Sequence, residues 1–124
     1  MARHFIRAAA LWLAAGVVLG AYMGATHDHA DKQLHVHGLL LGWASCAIFA
    51  VAYAQWEVKA AASRTHFWLH NVGLIALLGG LALQARARTS AALLASGSIA
   101  LVCSAALFLL LIWRASASRK VTRS

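Results

Sequence analysis

Three histidine pairs are the part of this sequence that could do chemistry. His27 and His29 flank Asp28, His35 and His37 stand two apart, and His66 and His70 stand four apart. His4 is alone in a basic N-terminal segment and reads as solvated. A neutral imidazole is a good axial ligand for iron and a common ligand for zinc or copper. On a helix, His35 and His37 point about 200° away from each other, so they cannot both hold one metal. His66 and His70 share one helix face, with His70 about 6 Å deeper, which suits a shared metal or a ligand with a supporting partner. The run HDHADKQLHVH gathers four histidines and two aspartates, a donor set suited to zinc, copper or nickel.

The elements that must carry these residues are unusual. The chain has 124 residues, 62% hydrophobic and 11% charged, with no proline and a mean hydropathy of +0.72. Soluble domains are about a quarter charged, so a soluble α/β enzyme is excluded. The apolar residues fall in four blocks, Ala8–Ala25, His35–Trp56, His66–Gln84 and Ala91–Trp113. Each is about 20 residues long, enough to cross a bilayer as a helix. Short polar connections make successive spans antiparallel. The expected fold is an all-α, four-helix antiparallel transmembrane bundle forming a single domain. The first block is too long for a secretory signal core and is read as a retained span.

Charge sets the expected orientation. Arg3, Arg7, Lys59, Arg64, Arg114, Arg119, Lys120 and Arg123 lie on the side of the termini. Only Lys32, Arg86 and Arg88, the rest of the eleven, lie on the other. Both termini are therefore expected in the cytoplasm, in a multi-pass protein of the bacterial inner membrane. This bias accounts for most of the net charge of +8, and nucleic-acid binding is not expected. Gly16, Gly20 and Gly24 in the first block and Gly38 and Gly42 in the second give small faces for close packing or for a flat cofactor. Trp12, Trp56 and Trp113 read as interfacial anchors, Trp43 and Trp68 as packing residues. Cys46 and Cys103, 57 positions apart, read as small buried thiols, and no CxxCH or CxxC motif is present.

Ionisable residues inside spans are costly, so each is a functional candidate. Every pair also has a structural reading. His35 and His37 would be interfacial histidines bonded to water and backbone, and His66 and His70 a polar cluster against Glu57. The His-rich loop would be simply solvated.

The runs LWLAAGVVLGAYMG, QLHVHGLLLGWASCAIFAVAY and HFWLHNVGLIALLGG resemble the first three helices of the heme-copper oxidase catalytic subunit, in the C-type oxidase and nitric oxide reductase branch. They also resemble small stand-alone bacterial membrane proteins of the same pattern. The resemblance covers about 80 residues, and its most specific element is Leu34-His35 opening a helix, followed by a run ending at Phe49 and Tyr53. It implies a b-type heme near the outer face with His35 as axial ligand. His37 stands where the larger relatives often carry asparagine, so no role transfers to it. The family's remaining heme and copper ligands lie on later helices absent here, so reduction of oxygen or nitric oxide is not implied. A second axial ligand would come from His37, from His27 or His29, or from another protomer of a homo-oligomer such as a two-fold dimer. Lys32, Arg86 and Arg88 are the cations available to heme propionates, although Arg86 and Arg88 also read as ordinary loop residues.

Three functions follow. The first is a heme protein with His35 as best ligand, and His37, His66 and His70 as further candidates, exchanging electrons with a redox partner or binding a diatomic gas. The second is a copper- or zinc-handling protein using His27, Asp28 and His29 with His35 or His37. The third is an accessory subunit whose histidines only bridge helices. No general base, nucleophile or substrate pocket can be named.

Overall fold

The computed structural model describes residues 1–88 and 90–121, with side chains to residue 118. Four long helices account for nearly all of it: α1, Ala2–Thr26; α2, Lys32–Gln55; α3, Ala60–Gln84; and α4, Ala91–Val121. Each is long and apolar enough to span a bilayer, and the described residues contain no strand. The helices run past the apolar blocks. α1 begins six residues before Ala8 and α3 six before His66, because Arg3, Arg7 and Arg64 sit in terminal turns that can project from the hydrocarbon into the headgroups.

The connections are short and locally bonded. After α1, His27 adopts a left-handed conformation (φ 54°). The backbone NH of Asp28 then donates to Thr26 Oγ1, and that of Ala30 to Asp28 Oδ1. α3 ends with Ala87 left-handed (φ 53°). The Arg88 NH reaches Leu83 O and the Ala87 NH reaches Gln84 O, both at 3.0 Å, the paired bonds of a Schellman stop.

α2 is not uniform. Between α-helical Lys32–His37 and Ser45–Gln55, the segment Gly38–Ala44 is a π-helix. The Ser45 NH and its Oγ both donate to Leu40 O, five residues back. Wide turns of this kind are rare and concentrate at functional sites.

The bundle is two hairpins. In the first, Trp12 of α1 lies over Gly42 of α2, where a Cβ would fall 2.5 Å from the indole Cγ. In the second, α3 packs against α4, a contact as extensive as that between α1 and α2. A Cβ on Gly97 would meet Leu77 N at 2.5 Å and Gly73 O at 2.8 Å, so only glycine permits this backbone approach. A buried cluster of Phe5, Ala9, Cys46, Phe49 and Ala50, edged by Tyr53, Phe67 and Phe108, joins the hairpins towards the termini. Leu11, Val18, Ile48, Ile99, Val102 and Leu109 are among the large apolar side chains left exposed, as suits helices bathed in lipid.

Four readings of single residues are corrected. Trp12 is no interfacial anchor: it lies about 15 Å along α1, half-buried, with Nε1 donating to Asn71 Oδ1 at 3.2 Å. Trp43 and Trp68 do not pack inside but are exposed on the bundle surface. Cys46 is buried as expected, whereas Cys103 is exposed, because α4 turns that face away from its neighbours.

Candidate cofactor site

His35 begins with a backbone bond to Asp31 O that fixes the first turn of α2. Its ring lies against α1, where Gly20 leaves the room: a Cβ there would fall 2.7 Å from His35 Cε1. His35 Nδ1 donates to Gly16 O at 2.9 Å. A carbonyl only accepts, so in neutral His35 the hydrogen is on Nδ1 and Nε2 carries a bare lone pair. Metal-binding histidines are held in this way, the second nitrogen oriented by a backbone carbonyl.

His35 lines a cleft of about 390 Å3 between α1, α2 and α3. Trp12, Gly16 and Leu19 form one wall, Leu34, His35 and Gly38 the second, and Ile75, Leu78, Gly79 and Ala82 the third. A Cβ built on Gly38 or Gly79 meets nothing within 4 Å, so both glycines border open space. With the Trp12 indole committed to Asn71, His35 contributes the one uncommitted polar side-chain atom of the lining. The volume falls within the usual range for small-molecule pockets.

The other histidines differ in what their nitrogens do. His37 turns away from His35, as the spacing requires, and its Nδ1 donates to Gln33 O at 2.8 Å in its own helix. His70 is buried with both nitrogens engaged. Nε2 donates to Leu41 O in the π-segment at 2.9 Å, and Nδ1 accepts from Ser104 Oγ at 3.2 Å. Neither nitrogen is free for a metal. His66 is fully buried, 2.8 Å from the Tyr53 hydroxyl through Nδ1. Its Nε2 is the one buried side-chain nitrogen or oxygen without a partner among the described residues. His66 and His70 do share a face, ring centroids 6.1 Å apart. The expected packing against Glu57 is replaced by a box of Phe5, Phe49, Tyr53 and Phe108, with His66 stacked on Phe108 at 22°. Glu57 is exposed.

His27 and His29 are exposed, and His29 Nδ1 donates to His27 O. No group of three histidine, cysteine, aspartate or glutamate side chains gathers as a metal site among the described residues. Arg86 is not a free cation. It clasps Asp31 with two bonds, 3.1 and 3.2 Å, and donates to Ala82 O at 2.8 Å. This fastens the end of α3 to the α1–α2 connection. Arg88 is exposed. Asn71 follows His70 directly in sequence and adds a polar group there, whereas Ser104 and Gly79 escaped the sequence reading. Ser104 carries no sequence signal, but the Gly79-Gly80 pair could have been followed up.

No known protein family, curated protein or solved structure matches this chain. The resemblance to heme-copper oxidases therefore rests on the quoted residues alone.

Proposed function

We propose that this chain is a b-type heme protein of the bacterial inner membrane, with both termini in the cytoplasm, and that it serves electron transfer. The observation carrying the reading is the His35–Gly16 bond, which leaves a bare imidazole nitrogen on an apolar cleft. The residues present fit the group on one side. His35 Nε2 would hold the iron, Gly38 and Gly79 leave room for a flat ring, and Leu19, Leu34, Ile75 and Leu78 would exclude water. When bound, heme iron supplies one-electron chemistry.

The Gly16 carbonyl fixes the tautomer and orientation of His35. Arg86, Arg88 and Lys32 are the cations nearest the cleft residues Ala82 and Leu34 along the chain, and Arg86 is already oriented by Asp31. A second ligand would come from a second copy of the chain, because both nitrogens of His70 are bonded, His66 is enclosed by aromatic rings and His37 faces away. A two-fold dimer would supply an equivalent His35.

The test is a reduced-minus-oxidised visible spectrum of detergent-purified protein, wild type against His35→Ala. A b-type spectrum lost in the variant is the expected result. No heme after expression with ample heme overturns the proposal.

A further inference from the structure

A second cavity, about 860 Å3, lies at the end opposite His35, on the side of the termini. It opens where the chain leaves α2 through Trp56, in extended conformation, and enters α3 after Lys59. The last turns of α4 form its other wall. Lys59, Arg114 and Glu57 all face it. Among the described residues the ion pair is Arg86–Asp31, at the far end, so neither Lys59 nor Arg114 is spent on a carboxylate there. The lining therefore carries two positive charges against one negative. Beneath the charged rim the wall is apolar, formed by Ala62, Leu111 and Ala115.

We propose that this groove binds an anionic glycerophospholipid of one net negative charge. Four observations converge on that occupant. The groove lies where spans end, at headgroup level. Its net charge of one positive unit complements one net negative unit. Its floor is apolar where a lipid's acyl chains begin. Trp56 stands at its edge, the residue type favoured at the membrane interface. The phosphodiester is held by Lys59 and Arg114, and Glu57 accepts hydroxyl hydrogens from a glycerol headgroup while opposing a second negative charge. The site is independent of the heme proposal, sharing no residue with the cleft.

The test is native mass spectrometry of the delipidated, detergent-purified full chain titrated with phosphatidylglycerol, phosphatidylethanolamine or inorganic phosphate. Phosphatidylglycerol should be retained about fivefold better than phosphatidylethanolamine, the effect of one net positive charge, and the Lys59→Gln, Arg114→Gln pair should abolish that preference. Glu57→Gln, which keeps both cations, should strengthen phosphatidylglycerol retention and guards against loss of folding in the double variant. Arg3→Gln with Arg7→Gln, on the same side but outside the groove, should change nothing. Equal retention of the two lipids overturns the proposal. So does equal loss in the Arg3, Arg7 pair, which would mean a diffuse positive surface, or phosphate competing as well as lipid, which would mean a free-anion site.

Discussion

The His35 Nδ1 hydrogen points at the carbonyl oxygen of Gly16, 2.9 Å away on the neighbouring helix. One bond thus sets both the rotation of the ring and the tautomer, and Gly20 beside it supplies the space. Adding a methyl at Gly20 should displace the ring, since its Cβ would fall 2.7 Å from Cε1. Gly20→Ala should lower heme affinity about tenfold or more. Gly24→Ala, which meets nothing within 4 Å, should leave it unchanged. Heme titration of the purified apoprotein measures both.

His70 gives the opposite expectation. Its nitrogens bond Leu41 O and Ser104 Oγ, so its removal costs packing and not a ligand. His70→Ala should destabilise the fold by about 1–2 kcal/mol and keep the heme spectrum. Denaturant titration in mixed micelles with parallel visible spectra separates it from His35→Ala. Loss of the Soret band in His70→Ala would move the ligand inward.

The α3–α4 contact depends on Gly97, where a Cβ would strike the backbone of Leu77 and Gly73 at 2.5 and 2.8 Å. Backbone cannot yield as a side-chain tip can, so Gly97→Ala should cost about 1–3 kcal/mol. Thermal unfolding in detergent should register the loss, while Gly79→Ala, on open space, should melt as wild type.

Ala87 holds a left-handed conformation at the end of α3, which costs an L-residue about 1 kcal/mol or more. Glycine adopts it freely. Ala87→Gly should therefore raise stability by up to about 1 kcal/mol, read in the same melting assay. A lower melting temperature would contradict the assigned turn.

Arg86→Ala together with Arg88→Ala should reduce heme retention during purification by removing cations proposed to meet the propionates. Asp31→Ala, which frees Arg86 but keeps its charge, should reduce it less. The heme-to-protein ratio after gel filtration decides. Unchanged ratios would leave the Arg86–Asp31 pair as a loop fastener alone.

The four spans were legible because hydropathy needs only a count of apolar residues over a length fixed by the bilayer. Rotation of each helix about its axis was not. When nearly every face is apolar, the pattern cannot say which one turns inward. Hence Trp12 read as an anchor, Trp68 as packing and Cys103 as buried, while Asn71 read as a neighbour of His70 and not as the partner of Trp12. The opposed directions of His35 and His37 were legible because they follow from spacing along one helix. The Gly16 partner of His35 and the Ser104 partner of His70 come from other helices, and nothing local encodes them. Glu57 was matched to His66 by proximity in sequence, but a carboxylate at a span end is drawn to water and leaves the aromatic rings to enclose the imidazole.

The π-segment at Gly38–Ala44 has a consequence for the permitted length of α2. A five-residue bonding reach accommodates one residue more than an α-helix would over the same stretch, and each residue of an α-helix turns the chain by about 100°. Shortening the segment by one position would wind it back to ordinary helix and counter-rotate the two halves of α2. His35 could then keep its seat on α1, or Phe49 and Tyr53 could keep theirs around His66, but not both. The wide turn therefore acts as a phase adjuster that lets one helix serve two differently oriented neighbourhoods, so insertions and deletions there should be far less tolerated than substitutions.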